Sequence, residues 1–457
     1  MEKQPGTEQG RGQEASASVE GRSSLQHPLS VGRVQLLLRA FRYRNYRLYF
    51  IGQTLSLVGT WMQLIAVGWL VYRLTGSALQ LGVVAFAGQI STLLLTPFAG
   101  LLSDRINRRR LLIWTQALSL LQALTLSLLV FSGSILIWQI ALLTFLNGVI
   151  NSFDMPARHS FVADLIPDRE DFANAIPLNS AMFNSARLVG PSIAGILIAH
   201  FGEGFCFLVN AVSYLAILVC LCAMRLPAAV PAMRAKKRVL VDVLDGFGYA
   251  WNFLPIRQIL LLLCLLSLSV MPYTTLLPAF ARDFLHGNSL DYGLMVTASG
   301  IGCLVCNLLF AVRRSVVGLD KVIPLAAVAA AMCLAGFAFC RSLPFAFPLL
   351  FCMGGISMAQ LTASNIILQT VVDESKRGRV MSLYIMSFIG MMPVGGLIAG
   401  ACAERFGVPE ILLAGSLICL AGTLLFLLRF SRFRACLECV YTALGIGKNP
   451  AEVKAVS

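Results

Sequence analysis

The sequence predicts an all-α membrane protein with twelve transmembrane helices in two pseudo-symmetric six-helix bundles. Composition is the first reason. The 457 residues are 57% apolar and only 13% charged, whereas a soluble chain carries about a quarter charged residues. The second reason is spacing, since the apolar residues gather in runs of about twenty, the length a helix needs to cross a bilayer. The third is that basic clusters fall on alternate loops, which sorts the runs into passes of opposite direction.

Residues 1–32 are rich in Gly, Ser, Gln and Glu without an apolar centre, and read as a disordered cytoplasmic tail and not a cleavable signal. Leu37, Leu38 and Phe41 then alternate with Arg39 and Arg42, as in a helix lying in the membrane interface. Candidate spans follow at roughly 48–72, 78–102, 111–131, 135–154, 174–199 and 205–225, then 258–280, 292–312, 322–340, 344–367, 379–403 and 409–429. One set of loops, with both tails, holds Arg39, Arg42, Arg44, Arg47, the cluster Arg105–Arg110, Arg158, Arg169, Arg234–Arg238, Arg313, Arg314, Lys321, Lys376, Arg377, Arg379, Arg429, Arg432 and Arg434. The other set holds only Arg73, Arg282, Arg341 and Arg405. That imbalance orients both termini to the cytoplasm.

The longest internal connection divides the spans six by six. It gives a first bundle over 33–226, a cytoplasmic linker over 227–257, a second bundle over 258–429 and a cytoplasmic amphipathic tail over 430–457. The linker holds Pro227, Pro231, the run Arg234–Arg238 and an amphipathic stretch, Val239–Phe253. In the tail Phe430, Phe433, Leu437, Val440, Tyr441 and Leu444 recur at helical spacing, which suits an interfacial helix; a frayed extension is the alternative. The halves repeat. A shift of 205 residues lays Asp168 on Asp373, Gly190 on Gly395, Gly195 on Gly400 and Phe201-Gly202 on Phe406-Gly407, as in transporters built from related halves.

Other classes fit poorly. The net charge of +14 is scattered over separate loops and forms no single face for nucleic acid. Most of the thirteen cysteines sit inside apolar runs, where Cys is a small hydrophobe. Cys303-x-x-Cys306 and Cys436-x-x-Cys439 lack a second pair or a nearby His, so no metal or other cofactor is expected. Neither a catalytic Ser/His/Asp cluster nor a phosphate-binding G-x-x-x-x-G-K-[ST] loop occurs, which argues against an enzyme or an ATP-driven pump.

Between spans two and three lies Gly100-Leu-Leu-Ser-Asp104-Arg105-Ile-Asn107-Arg108-Arg109-Arg110. It resembles the G-x-L-x-D-R-x-G-R-R/K signature of the major facilitator superfamily. Asn107 stands for the usual Gly, a mild departure because Asn also tolerates a left-handed backbone. Ala186-Arg187-Leu-Val-Gly190-Pro191-Ser-Ile-Ala194-Gly195 resembles the G-x-x-x-G-P-x-x-G-G element of drug:proton antiporters in that superfamily, with Ala at two Gly positions. Gly190 and Pro191 are expected to bend the helix and admit a close neighbour. Met155-Pro156-Ala157-Arg158 and Asp373–Ser382 resemble the branch holding enterobactin, macrolide and multidrug exporters. The resemblance implies a multi-pass protein of the bacterial cytoplasmic (inner) membrane, exchanging its substrate for protons. It also implies that Gly100, Asp104, Arg105, Arg108, Arg109 and Asp154 act in a cytoplasmic gate.

Arg187 lies near the middle of span five, where a charge is costly unless it faces a partner or a watery cavity. With Ser180 and Asn184 it shares a helix face. Either it contacts an anionic or hydrogen-bonding substrate, or it is a structural Arg paired with backbone carbonyls. Candidate cavity residues elsewhere are Gln63 in span one, which shares a polar face with Gln53, Ser56 and Thr60, Asn147 and Asn151 in span four, Tyr273 in span seven, Asn307 in span eight, and Gln360 and Ser364 in span ten. Polar groups in spans should face inward, so each serves substrate contact or interhelical hydrogen bonding. Asp154, nearest to an intramembrane acid, is either a proton carrier or a latch for Arg105 or Arg108. The leading expectation is a monomeric secondary transporter exporting a small amphiphilic organic molecule, siderophore-like or drug-like, by alternating access, with lipid and protons as its other partners. An importer of a small organic anion is the alternative; a non-transporting scaffold would need a soluble domain or long loops.

Overall fold

The structure, a computed structural model, describes residues 39–103, 106–166, 168–225, 247–313 and 315–444. Among the described residues, twelve helices are long and apolar enough to cross a membrane. The first six are α1 (Arg44–Thr75), α2 (Ala78–Ser103), α3 (Arg108–Phe131), α4 (Ile137–Leu165), α5 (Arg169–Phe201) and α6 (Glu203–Ala223). The second six are α7 (Leu254–Phe284), α8 (Ser289–Val312), α9 (Leu319–Ala338), α10 (Leu343–Val371), α11 (Lys376–Phe406) and α12 (Val408–Leu428). A shorter helix, α13 (Phe430–Ala443), closes the described chain.

The expected spans are all present, but several helices are longer. Helix α4 continues through Arg158 and His159 to Leu165, and α5 begins at Arg169. Backbone hydrogen bonding extends past the apolar core into the headgroup zone, where charged side chains are tolerated, so an apolar window underestimates the helix.

Short-range chemistry sets the ends. Helix α1 stops at Gly76, whose left-handed backbone (φ 60°) lets its N–H reach the Tyr72 carbonyl at 2.8 Å. Helix α8 starts with a capping box: the Asn288 side chain accepts from the N–H groups of Leu290 and Asp291, and the Asp291 carboxylate accepts from the Asn288 N–H. Asn107 behaves differently from expectation. Its φ is −58°, not left-handed, and its side chain accepts from the Arg110 N–H at 3.2 Å, capping α3. The Asn side chain satisfies one of the free N–H groups of the first turn, which the usual Gly leaves to water.

Within the first half α1 packs on α5 and α6, α2 on α4, and α3 on α4 and α6. The second half repeats this: α7 packs on α11 and α12, α8 on α10, and α9 on α10 and α12. The correspondence is local as well. Gly148 of α4 abuts the backbone of Gly88 in α2, and Gly354, equivalently placed in α10, abuts that of Ser299 in α8; neither position has room for a Cβ. Helix α7 is interrupted after Ser269, resumes at Tyr273 behind Pro272, and ends in a π turn, Phe280–Phe284.

Odd helices start on the face where α1 begins, the terminal side, and end on the opposite face, the far side. The halves meet along α2–α11 and α5–α8. On the terminal side, Phe41 packs edge-on against Phe50, and residues 247–252 form a short helix. Helix α13 docks Phe433, Leu437 and Tyr441 into the second half, and Arg434 bridges to Asp320 at the start of α9. Leu37, Leu38, the linker through residue 246 and the tail beyond 444 lie outside the described residues.

Candidate functional site

Trp61 of α1, Arg187 of α5 and Cys303 of α8 lie at one depth, about 21 Å of helix from the far side. The half-buried Arg187 guanidinium donates to the Cys303 Sγ at 3.5 Å and lies over the Trp61 ring at 5.7 Å. Phe183 packs edge-on against Trp61 from the next turn of α5. The Cys303 thiol in turn donates to the Gly354 carbonyl at 3.2 Å. Among the described residues no carboxylate pairs with Arg187. A cation at this depth therefore rests on a thiol and a π face, weak substitutes for water or a counter-ion.

Tyr273 and Ser299 share a hydrogen bond of 3.0 Å a few residues nearer the far side. Thr297 follows, bonded to Ser192 across the halves at 2.8 Å. Asn184 faces the same region but donates to its own helix, to the Ser180 carbonyl at 2.8 Å. Asn307, Asn147 and Asn151 are half-buried, and the Asn147 Oδ1 is shielded without a partner. Helix α5 runs unbroken through Gly190-Pro191. Gly190 lies against α1, where a Cβ would come within 3.0 Å of the Val58 carbonyl oxygen. Close approach of the two helices is what Gly provides there.

Gln63 sits elsewhere. Its amide donates to Gln122 of α3 at 3.1 Å and accepts from Asn210 of α6 at 2.8 Å, inside the first half. Ser56 likewise bonds Gln116, and Thr60 bonds Tyr214. The polar stripe of α1 therefore holds that half together, because its neighbours α3 and α6 carry matching amides and hydroxyls.

Asp154 is 2% exposed and fully engaged. One carboxylate oxygen accepts from Thr115 and Gln116, each at 2.8 Å, and the other pairs with Arg158 one turn on. Arg108 does not reach it. That side chain pairs with Asp164 at 2.6 Å, and Arg109 donates to the Leu221 and Cys222 carbonyls of α6. Gly100 lies in α2, while Asp104 and Arg105 fall outside the described residues. In the second half Gln360 takes the place of Asp154. It is 0% exposed, and among the described residues neither amide atom has a hydrogen-bond partner, nor do the Ser357 and Ser364 hydroxyls on the same face. Ala326 and Ala327 stand where α3 offers Thr115 and Gln116.

Sequence patterns did not single out Trp61, Ser299 or Thr297, and Cys303 entered only as half of a Cys-x-x-Cys pair unsuited to a metal. Apolar periodicity is blind to them, since a ring or a thiol is equally at home against lipid.

Twelve spans in two related halves, with a cation at mid-depth where they meet, define a membrane transporter of the major facilitator fold. Solved structures share it: the nucleoside transporter NupG (TM-score 0.68, 14% identity, 84% of this chain and 98% of that one) and a bacterial homologue of the iron transporter ferroportin in an inward-facing state (0.65, 19%, 86% and 98%). The chain belongs to the transmembrane secretion effector family, whose model matches residues 37–438. It is similar to the Staphyloferrin A transporter of Staphylococcus aureus (28% identity, 79% of this chain and 90% of that protein). It is also similar to the multidrug efflux pump Tap of Mycolicibacterium fortuitum (27%, 79% and 89%) and to macrolide efflux protein A of Streptococcus pyogenes (22%, 83% and 96%).

Proposed function

We propose that this transporter exports a small amphiphilic organic molecule, siderophore-like or drug-like, by alternating access in exchange for protons. The observation that carries the reading is Arg187, a mid-depth cation where the halves meet, without a carboxylate partner among the described residues. An anionic or strongly hydrogen-bonding cargo supplies the missing counterpart, and Trp61 and Phe183 offer apolar surface beside it. Tyr273, Ser299, Asn184 and Asn307 add hydrogen-bonding groups near the same depth. The printed functions of the relatives, siderophore transport and drug and macrolide efflux, favour export of such a molecule.

In this reading the terminal side is cytoplasmic, because the basic loops fall there. The protein is a monomer of the bacterial cytoplasmic membrane and not an enzyme. Bundles 33–226 and 258–429 rock about the site, joined by the linker 227–257. Gly100, Asp104, Arg105, Arg108 and Arg109 form a cytoplasmic gate element, and Asp154 anchors its base through Arg158. The test is accumulation of a compound panel, iron chelators included, in cells with and without the protein. Lower accumulation of anionic amphiphiles in expressing cells is expected. Higher accumulation would indicate import and overturn the reading.

A further inference from the structure

The basic motif directs attention to the terminal side, yet the described polar contacts between the halves lie from mid-depth to the opposite rim. Tyr72, at the end of α1 and 4% exposed, donates its hydroxyl to the Asp283 carboxylate at the end of α7. Arg282 donates to the Tyr72 carbonyl at 3.4 Å and lies over its ring at 5.9 Å. One Glu404 oxygen, near the end of α11, accepts from the Ser77 hydroxyl at 3.0 Å and from the Leu79 N–H at 3.3 Å. Leu79 belongs to the first turn of α2, so the carboxylate also meets the positive end of that helix.

Beneath this rim the halves are in backbone contact. A Cβ on Gly82 would lie 2.9 Å from the Gly396 carbonyl oxygen, and one on Gly400 would lie 2.5 Å from that of Ala78. Trp69 stacks on Tyr292 with centroids 6.0 Å apart. A packed layer under a ring of polar contacts has the form of a closed gate.

We propose that Asp283 and Glu404 are the positioning residues of a far-side latch, their carboxylates holding the halves closed through hydrogen bonds from the opposite half. The latch stands whichever face of the membrane the far side meets. Both carboxylates are exposed to solvent. Their partners across the interface, the Tyr72 and Ser77 hydroxyls and the Leu79 N–H, are neutral donors. Such bonds owe much of their strength to charge on the acceptor, which an amide in its place lacks. The charged groups around Asp283 are Arg282 on its own helix, Arg341 over the neighbouring Phe284 ring, and Glu404, whose charge also acts on Tyr72. Arg73, next to Tyr72, is already paired with Glu203 at 2.7 Å. Glu404 has Arg405 beside it in sequence.

The latch is tested by hydrogen–deuterium exchange at pH 7.5 on the full chain in lipid nanodiscs, wild type beside variants. In the Asp283→Asn, Glu404→Gln double variant, amides near residues 72–82, 282–292 and 396–406 are expected to exchange roughly tenfold faster or more than in the wild type, the factor that losing one charged hydrogen bond brings. Asp283→Glu, which keeps the carboxylate, should keep near-wild-type protection. Wild-type protection in the double variant, or the same loss of protection in Asp283→Glu, would overturn the latch. Nanodiscs expose both faces and the assay needs no cargo. The latch can therefore fail while export stands, and survive if the direction of transport proves wrong.

Discussion

Replacing Arg187 with Gln keeps a hydrogen-bonding side chain of similar reach but removes the charge. Among the described residues the guanidinium's hydrogen bond goes to the Cys303 thiol at 3.5 Å, and it lies over the Trp61 ring at 5.7 Å. A cation–π contact is worth about 0.5–2 kcal/mol, and relief of an unpaired intramembrane charge offsets that loss. The variant should therefore unfold within a few degrees of the wild type. Binding is another matter. A hydrogen bond to a charged group contributes about 1.5–3 kcal/mol, so an anionic ligand held by Arg187 should bind roughly 10- to 150-fold more weakly. Its neutral amide, lacking the charge, should change by threefold or less on the same scale. Titration calorimetry of purified protein with the matched pair, beside a thermal melt, reads both quantities. Equal weakening of anion and amide, or a large fall in the melting temperature with unchanged affinity, would make Arg187 a structural residue.

Three further outcomes follow from the buried groups. Asp154→Ala leaves the Arg158 charge without its partner and should destabilise the fold by about 3–5 kcal/mol, whereas the double variant with Arg158→Leu should recover part of it; chemical denaturation in detergent compares them. Gln360→Leu removes two unpartnered amide atoms and should leave stability unchanged or raise it by about 1–2 kcal/mol, so a clear loss would mean that Gln360 has a partner such as ordered water. In α13, burial pushes the Tyr441 phenol up to about 12. The folded state thus holds its proton more tightly than the unfolded one. This contribution is fully present below the unfolded value near 10 and is lost as pH rises toward 12. Helix α13 should accordingly undock in that window, and Tyr441→Phe should abolish the alkaline transition, followed by tyrosinate absorbance and by proteolysis of the tail.

The spans were legible because a bilayer imposes both a length and a composition, and the basic loops mark their direction. Helix ends were less so, since α4 and α5 continue into a zone where apolar windows fall silent. The stripe Gln53, Ser56, Thr60 and Gln63 was visible as a stripe, but periodicity gives a face and not its neighbour. Only the fold reveals that Gln122 and Asn210 meet Gln63. Arg187 could be singled out from cost alone, whereas Cys303 and Trp61 could not. Tyr72 and Asp283, 211 residues apart, and Ser77 and Glu404, 327 apart, carry no local pattern at all. Their pairing depends on how the two halves close.

The central claim, outward movement of a small amphiphilic anion in exchange for protons, is tested most directly in inside-out vesicles whose lumen is acidified. The lumen then corresponds to the cell exterior. Accumulation of the anionic ligand in the lumen is predicted, collapsing on addition of a protonophore and absent in vesicles carrying Arg187→Gln. Loss of preloaded ligand from the lumen under the same gradient, or accumulation indifferent to the gradient, would contradict the account.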